Sequence, residues 1–178
     1  MSAAPDLPSA EPEPTWLTAM IASPARLGFA VFTIACVNVL LTPQPERIAV
    51  VWVPNAVVLT VLLTRPSSAW PRDIVAGFLG NVAANLLMGN RLLVALLLSL
   101  CNSLESATAA GLLRRWSPPD GLDLRRWASM KRFLVVCGLI APAVPSLLGS
   151  WIASTVHGVP FLNYLRTWYA ADSLGLLL

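Results

Sequence analysis

The chain has 178 residues, 56% of them hydrophobic and only 12% charged, with a mean hydropathy of +0.68 and a formal net charge of +3. Soluble domains carry about 25% charged residues, so an ordinary soluble domain is excluded, and +3 spread between apolar blocks gives no footing for nucleic acid. Long apolar blocks separated by short Arg- and Pro-bearing clusters point instead to an all-α integral membrane protein, a polytopic bundle of about six transmembrane helices.

In chain order, residues 1–24 open with MSAAPDLPSAEPEPT, rich in proline and acids, and are expected to form a disordered cytoplasmic tail. No basic stretch leads directly into an apolar run there, so no secretory signal is expected and the first apolar block stays as an anchor. Residues 25–178 form the expected membrane-embedded domain, with helices at 25–42, 48–64, 73–89, 92–113, 133–156 and from 162 onward. The short links TPQPER, RPSSAWPR and GNR force consecutive helices to run antiparallel. The basic loop 114–132 reads as a retention signal touching anionic lipid. All basic residues except Arg47, Arg91 and Arg166 then fall on one side. The positive-inside rule makes that side cytoplasmic, with the N-terminus, in a multi-pass protein of the bacterial inner membrane.

In the sixth segment, Trp168 and Tyr169 follow Arg166 as an interfacial aromatic belt would. From Thr167 to Leu178 the helix spans about 18 Å, against a hydrocarbon core of about 30 Å. The sixth helix is therefore expected to be truncated and the chain to be a fragment.

Flanking arginines serve as depth markers. They bring Asn55 beside Pro54, Asn81, Asn102 and Glu105 to similar depth on three helices, with Asp172 in the outer half of the sixth. An acid inside a membrane faces a partner or a wet cavity. Glu105 is either a functional group or a protonated side chain bonded to Asn or Ser to hold helices together. Asp172 is a second candidate that could also snorkel outward. Asn81 and Asn85, on the face of Gly77, read first as interhelical glue. Pro54 is expected to kink the second helix by depriving the Val50 carbonyl of its partner, and Pro142 and Pro145 to do the same in the fifth. Carbonyls freed in that way could serve a ligand.

His157 reads as an interfacial loop residue, with pH sensing secondary. Cys36, Cys101 and Cys137 lie in separate apolar blocks as small packing residues. With one histidine and no Cys pair, haem or zinc lacks its ligands, so no metal or cofactor is expected. No nucleophile–base set stands out, and no enzyme is expected.

Four landmarks together resemble the MASE1 domain, a membrane-associated sensor region of bacterial signalling proteins. They are Trp52-Val53-Pro54-Asn55-Ala56, resembling a Trp-Pro-Pro-Thr-Gly motif; Trp70-Pro71 continuing through Gly77 to Asn85; Asn102-x-x-Glu105 followed by Arg114-Arg115; and Trp168-Tyr169 with Asp172 and Gly175. In the first, only the Trp and the second Pro match. In the last, Ala171 stands where the family has Gly. The resemblance implies about eight helices and a cytoplasmic output module (a histidine kinase, diguanylate cyclase or phosphodiesterase) that this chain does not hold. The expected function is a sensory input domain, a homodimer in the complete protein. Its signal would bias packing around Glu105, Asp172, Asn102, Asn81, Asn85, Trp52, Pro54 and Asn55. A small solute-binding subunit of a membrane transporter is the alternative.

Overall fold

The computed structural model describes residues 23–42, 51–117, 122–158 and 160–178. The expected tail lies outside them up to residue 22, as do residues 48–50 of the second expected helix. All the regular structure described is helical: α1 (Pro24–Leu40), α2 (Pro54–Thr64), a 3₁₀ turn (Ser67–Ala69), α3 (Trp70–Leu87), α4 (Leu92–Trp116), α5 (Trp127–Val135), a π turn (Val136–Ile140), α6 (Ala141–His157) and α7 (Phe161–Leu177). Two rods, Leu92–Trp116 and Trp127–Val156, are long and apolar enough to cross a membrane; Pro24–Leu40 and Pro54–Thr64 are shorter apolar helices. Leucines such as Leu92, Leu93, Leu100 and Leu139 point outward. Lipid chains, as apolar as leucine itself, suit such a surface.

Local chemistry explains the helix ends. The Ser23 hydroxyl accepts the Arg26 N–H at 3.3 Å, and Pro24 follows in the first turn of α1, where a missing donor costs nothing. Pro54 does the same for α2, whose N-cap is Val53. The expected kink at Pro54 is thus corrected: residues 51–53 are not helical, and the proline starts the helix instead of bending it. The rod of α5 and α6 begins at Trp127 rather than 133, so the basic end of the 114–132 stretch is already helical.

Pro142 leaves its mark as the π turn. Lacking an N–H, it cannot bond the Gly138 carbonyl one turn back, and the ladder widens over Val136–Ile140. Ser173 donates to that carbonyl at 3.0 Å and Tyr169 at 3.3 Å; the Tyr169 hydroxyl also lies 3.0 Å from the Leu139 carbonyl. The carbonyl freed in the fifth segment is therefore taken by α7 rather than open to a ligand.

Small residues bring helices close. A methyl on Gly80 would run into the Gly28 carbonyl, and one on Gly28 would lie 2.9 Å from the Ala76 carbonyl oxygen, so α1 and α3 touch backbone to backbone. Gly80→Ala should cost about 1–3 kcal/mol, read as a lower unfolding midpoint in detergent.

The principal core joins Leu27 and Val31 of α1, Val58, Val61 and Leu62 of α2, Ala109 and Leu113 of α4, Val136, and Leu176 of α7. At one end of this core, Arg114 donates to the carbonyls of Leu62, Leu63 and Arg65, closing the C-terminus of α2. Its guanidinium lies 4.8 Å from the centre of the Trp70 ring, and the Trp70 indole N–H donates to Leu62 at 2.8 Å. Arg65 pairs with the fully buried Asp73 at 2.6 Å. Arg65, Arg72 and Arg114, read in the sequence only as depth markers, meet here, and they fix both ends of the α2–α3 connection.

Candidate functional site

The other end of α2 starts inside the bundle. Before it, the non-helical residues Val51–Val53 need partners for their backbone groups in the interior of the bundle. Asn38 of α1 donates to the Val51 carbonyl at 2.6 Å, and the Trp52 N–H donates to the Ala171 carbonyl of α7 at 3.0 Å. Gly175, one turn further along α7, lies so close to the Trp52 backbone that any Cβ would collide with it. The entry to α2 is thus clamped between α1 and α7.

Three polar side chains converge at this helix start. Asn55, in the first turn of α2, donates through Nδ2 to Glu105 Oε2 of α4 at 2.6 Å. The Glu105 carboxyl neighbours the Asp172 carboxyl of α7, and the Trp168 indole lies beside Asp172. Asn55 and Glu105 are 0% exposed and Asp172 1%. Glu105 Oε1, Asp172 Oδ2 and Asn55 Oδ1 are buried without a donor. Two carboxyls so placed in a dry interior cannot both be ionised at low cost; a proton held between them gives each a partner. The N-terminus of α2, with its partial positive charge, is set beside this acid pair. Ser106, one residue after Glu105, donates to the carbonyls of Asn102 at 3.1 Å and Asn55 at 3.4 Å, tying α4 to the start of α2.

Of the residues expected at the site, Asn55, Glu105 and Asp172 come together, and Pro54 sets the helix start that presents Asn55. Asp172 reaches Glu105, so the expected snorkelling toward an outer interface is corrected. Asn102 is buried on α4 and contributes its backbone carbonyl. Trp52 contributes its backbone; its ring packs against Ala35, Cys36 and Ala84, and its buried indole N–H has no acceptor among the described residues.

Asn81 is buried on α3 with its Oδ1 unpaired. Asn85 donates to the Asn81 backbone carbonyl at 3.0 Å and accepts from Asn90 at 2.9 Å, closing the end of α3. The two residues expected as an aromatic belt are half-buried, with Trp168 against Gly149 and Asp172 and Tyr169 bonded to the π turn. All three cysteines are free and buried. His157 ends α6, with Gly158 behind it at a φ of 72°. A separate groove of about 740 Å³ runs along the far side of α2 between Leu59, Leu63, Phe133 and Leu176, with Arg114 at its rim, and holds none of the acids.

Sequence reasoning missed Asn38, Ser106 and the role of Trp168. Ser106 had a visible signal in standing one turn after Asn102. Asn38 had none, since its partner is a backbone carbonyl thirteen residues away.

A helical bundle with outward leucines and an enclosed acid pair at the start of α2 fits a membrane domain with a polar centre. The MASE1 family profile matches residues 23–178, and the chain belongs to this family of membrane-associated sensor domains of signalling proteins. No curated protein and no solved structure matches it.

Proposed function

We propose that the chain is the sensory input domain of a bacterial signal-transduction protein and that the Asn55–Glu105–Asp172 cluster is its switch. The observation that carries this is the meeting of three enclosed polar side chains from α2, α4 and α7 where α2 begins. A change in the protonation or bonding of the pair alters what holds α7 against α2 and α4, and packed interfaces of this kind respond in discrete steps. In this proposal the domain crosses the inner membrane about six times, with the tail 1–24 and the basic end bearing Arg65 and Arg114 in the cytoplasm. It regulates a cytoplasmic histidine kinase, diguanylate cyclase or phosphodiesterase module as a homodimer. Asn81, Asn85, Asn102 and Trp52 act as supports of the switch.

In a protein carrying such an output module, Glu105→Gln and Asp172→Asn are expected to lock output in one state, changing it at least about fivefold, the lower end of ordinary coupling energies. If both variants fold and signal as the parent does, the cluster is not the switch. A solute-binding transporter subunit is the second reading, supported by the non-helical residues before α2. It is weakened because the Val51 and Gly138 carbonyls it would offer a solute already have protein donors.

A further inference from the structure

The groove on the far side of α2 is apolar along its length and basic at one end. Leu59 and Leu63 of α2, Phe133 of α5 and Leu176 of α7 line it, and no Asp or Glu does. Thr60 and Thr64 line it too, but their hydroxyls donate to carbonyls of α2 itself, Ala56 at 2.8 Å and Thr60 at 3.0 Å. Neither hydroxyl needs a partner from the groove. Arg114 stands at the end where α2 finishes.

We propose that this groove binds one anionic phospholipid, with its phosphate against Arg114 and an acyl chain along α2. A groove of about 740 Å³ beside a bilayer does not stay empty, because its walls would forfeit dispersion contacts. A lipid chain is as apolar as the leucines that line it. The length fits as well. From Thr64, near the arginine, to Ala56 the α2 wall runs about 12 Å at 1.5 Å per residue, most of the ~15 Å of hydrocarbon in one leaflet.

Which lipid enters is decided at the basic end. The bonds from Arg114 to the α2 carbonyls all leave from Nη2, so Nη1 and Nε stay uncommitted among the described residues. A guanidinium grips phosphate through paired N–H groups. The connection that follows adds Arg115, Arg125, Lys131 and Arg132, while Asp123 is already paired with Arg126 at 3.6 Å. The field at this end therefore favours an anion, and basic pockets between membrane helices take anionic head groups. A free phosphate would leave the apolar wall unused, and a neutral lipid would leave the arginine unused. The inference goes beyond the sensory reading and does not depend on it, since the groove holds neither Glu105 nor Asp172.

The test titrates the purified chain, in a neutral detergent, with palmitoyl-oleoyl phosphatidylglycerol or with phosphatidylcholine of the same acyl chains. Bound lipid is read by native mass spectrometry. One saturable phosphatidylglycerol per chain is expected, held about fivefold or more tighter than phosphatidylcholine, the preference that one arginine at a membrane surface confers. Thr60→Trp fills the groove without altering Arg114 and should remove the site. Leu79→Trp places the same ring on the exposed face of α3 and should keep it. Arg114→Gln should erase the preference between the two lipids. Because it also uncaps α2, circular dichroism checks its fold, and Thr60→Trp decides should it unfold.

Equal uptake of the two lipids by the parent chain, or an unchanged phosphatidylglycerol site in folded Thr60→Trp, overturns the proposal. Displacement of the lipid by glycerol phosphate would mean that the arginine takes a phosphate without the groove. A lipid-free dimer would mean that a second copy covers the groove, and loss of the site in a longer form of the protein would mean that further residues of the chain do. Each of these outcomes overturns it equally.

Discussion

Glu105→Leu is expected to destabilise the bundle by about 3–5 kcal/mol, and Glu105→Gln by about 1 kcal/mol. The difference lies in what each leaves behind. Leucine strands the Asn55 N–H groups and leaves the enclosed Asp172 without the carboxyl that shares its proton. Glutamine fills the same volume, accepts from Asn55 through its oxygen, and offers an N–H to Asp172 in place of the shared proton. Unfolding midpoints in detergent, with circular dichroism as the signal, give the comparison. Equal losses for the two variants would mean that Glu105 fills space and that the hydrogen bonds around it are incidental.

Gly175→Ala is the second large effect, at the upper end of the about 1–3 kcal/mol typical of overpacking. Here the added methyl meets backbone, with the Trp52 carbonyl carbon only 2.6 Å from the new Cβ, and no side chain can swing aside. Gly149→Ala is the contrast: its methyl would meet the Trp168 ring at 2.9 Å, and a side chain can yield. Moving α7 outward at Gly175 also stretches the bond between the Trp52 N–H and the Ala171 carbonyl and withdraws Asp172 from Glu105. The variant should therefore lose output as well as stability, whereas Gly149→Ala should keep most of both. Parallel unfolding and output measurements on the two separate a damaged switch from general loosening.

Much of the architecture was legible because membrane helices announce themselves by composition. The segments expected around α1, α3, α4 and α7 fall within a few residues of those seen, since each is bounded by proline, arginine or glycine. Pro54 misled because a proline inside an apolar run reads equally as a kink or as a helix start. The choice between them rests on Asn38 and Ala171, which supply partners for the unwound residues from distant parts of the chain.

Glu105 and Asp172 could be singled out by the cost of burying a carboxyl. Their meeting could not be read, because counting residues from Arg166 gives a depth along α7 and says nothing of which way the helix faces. The same blindness left Trp168 and Tyr169 as belt residues alone, without the contacts that half-bury them against Gly149 and the π turn. The cluster of Arg114, Trp70, Arg65 and Asp73 went unseen because the arginines were already explained as depth markers and loop charges, Trp70 as a motif residue, and Asp73 carried no signal of its own.

Four successive demands on α7 fall within seven residues: Tyr169 and Ser173 serve the π turn, the Ala171 carbonyl serves Trp52, Asp172 serves Glu105, and Gly175 admits the Trp52 backbone. Every one of these partners is earlier in the chain. During synthesis, then, the non-helical entry to α2, the buried acid of α4 and the π turn are all made before the groups that complete them. Completion of the bundle waits on one helix, and a chain shortened before residue 169 would leave all three places without their partners at once.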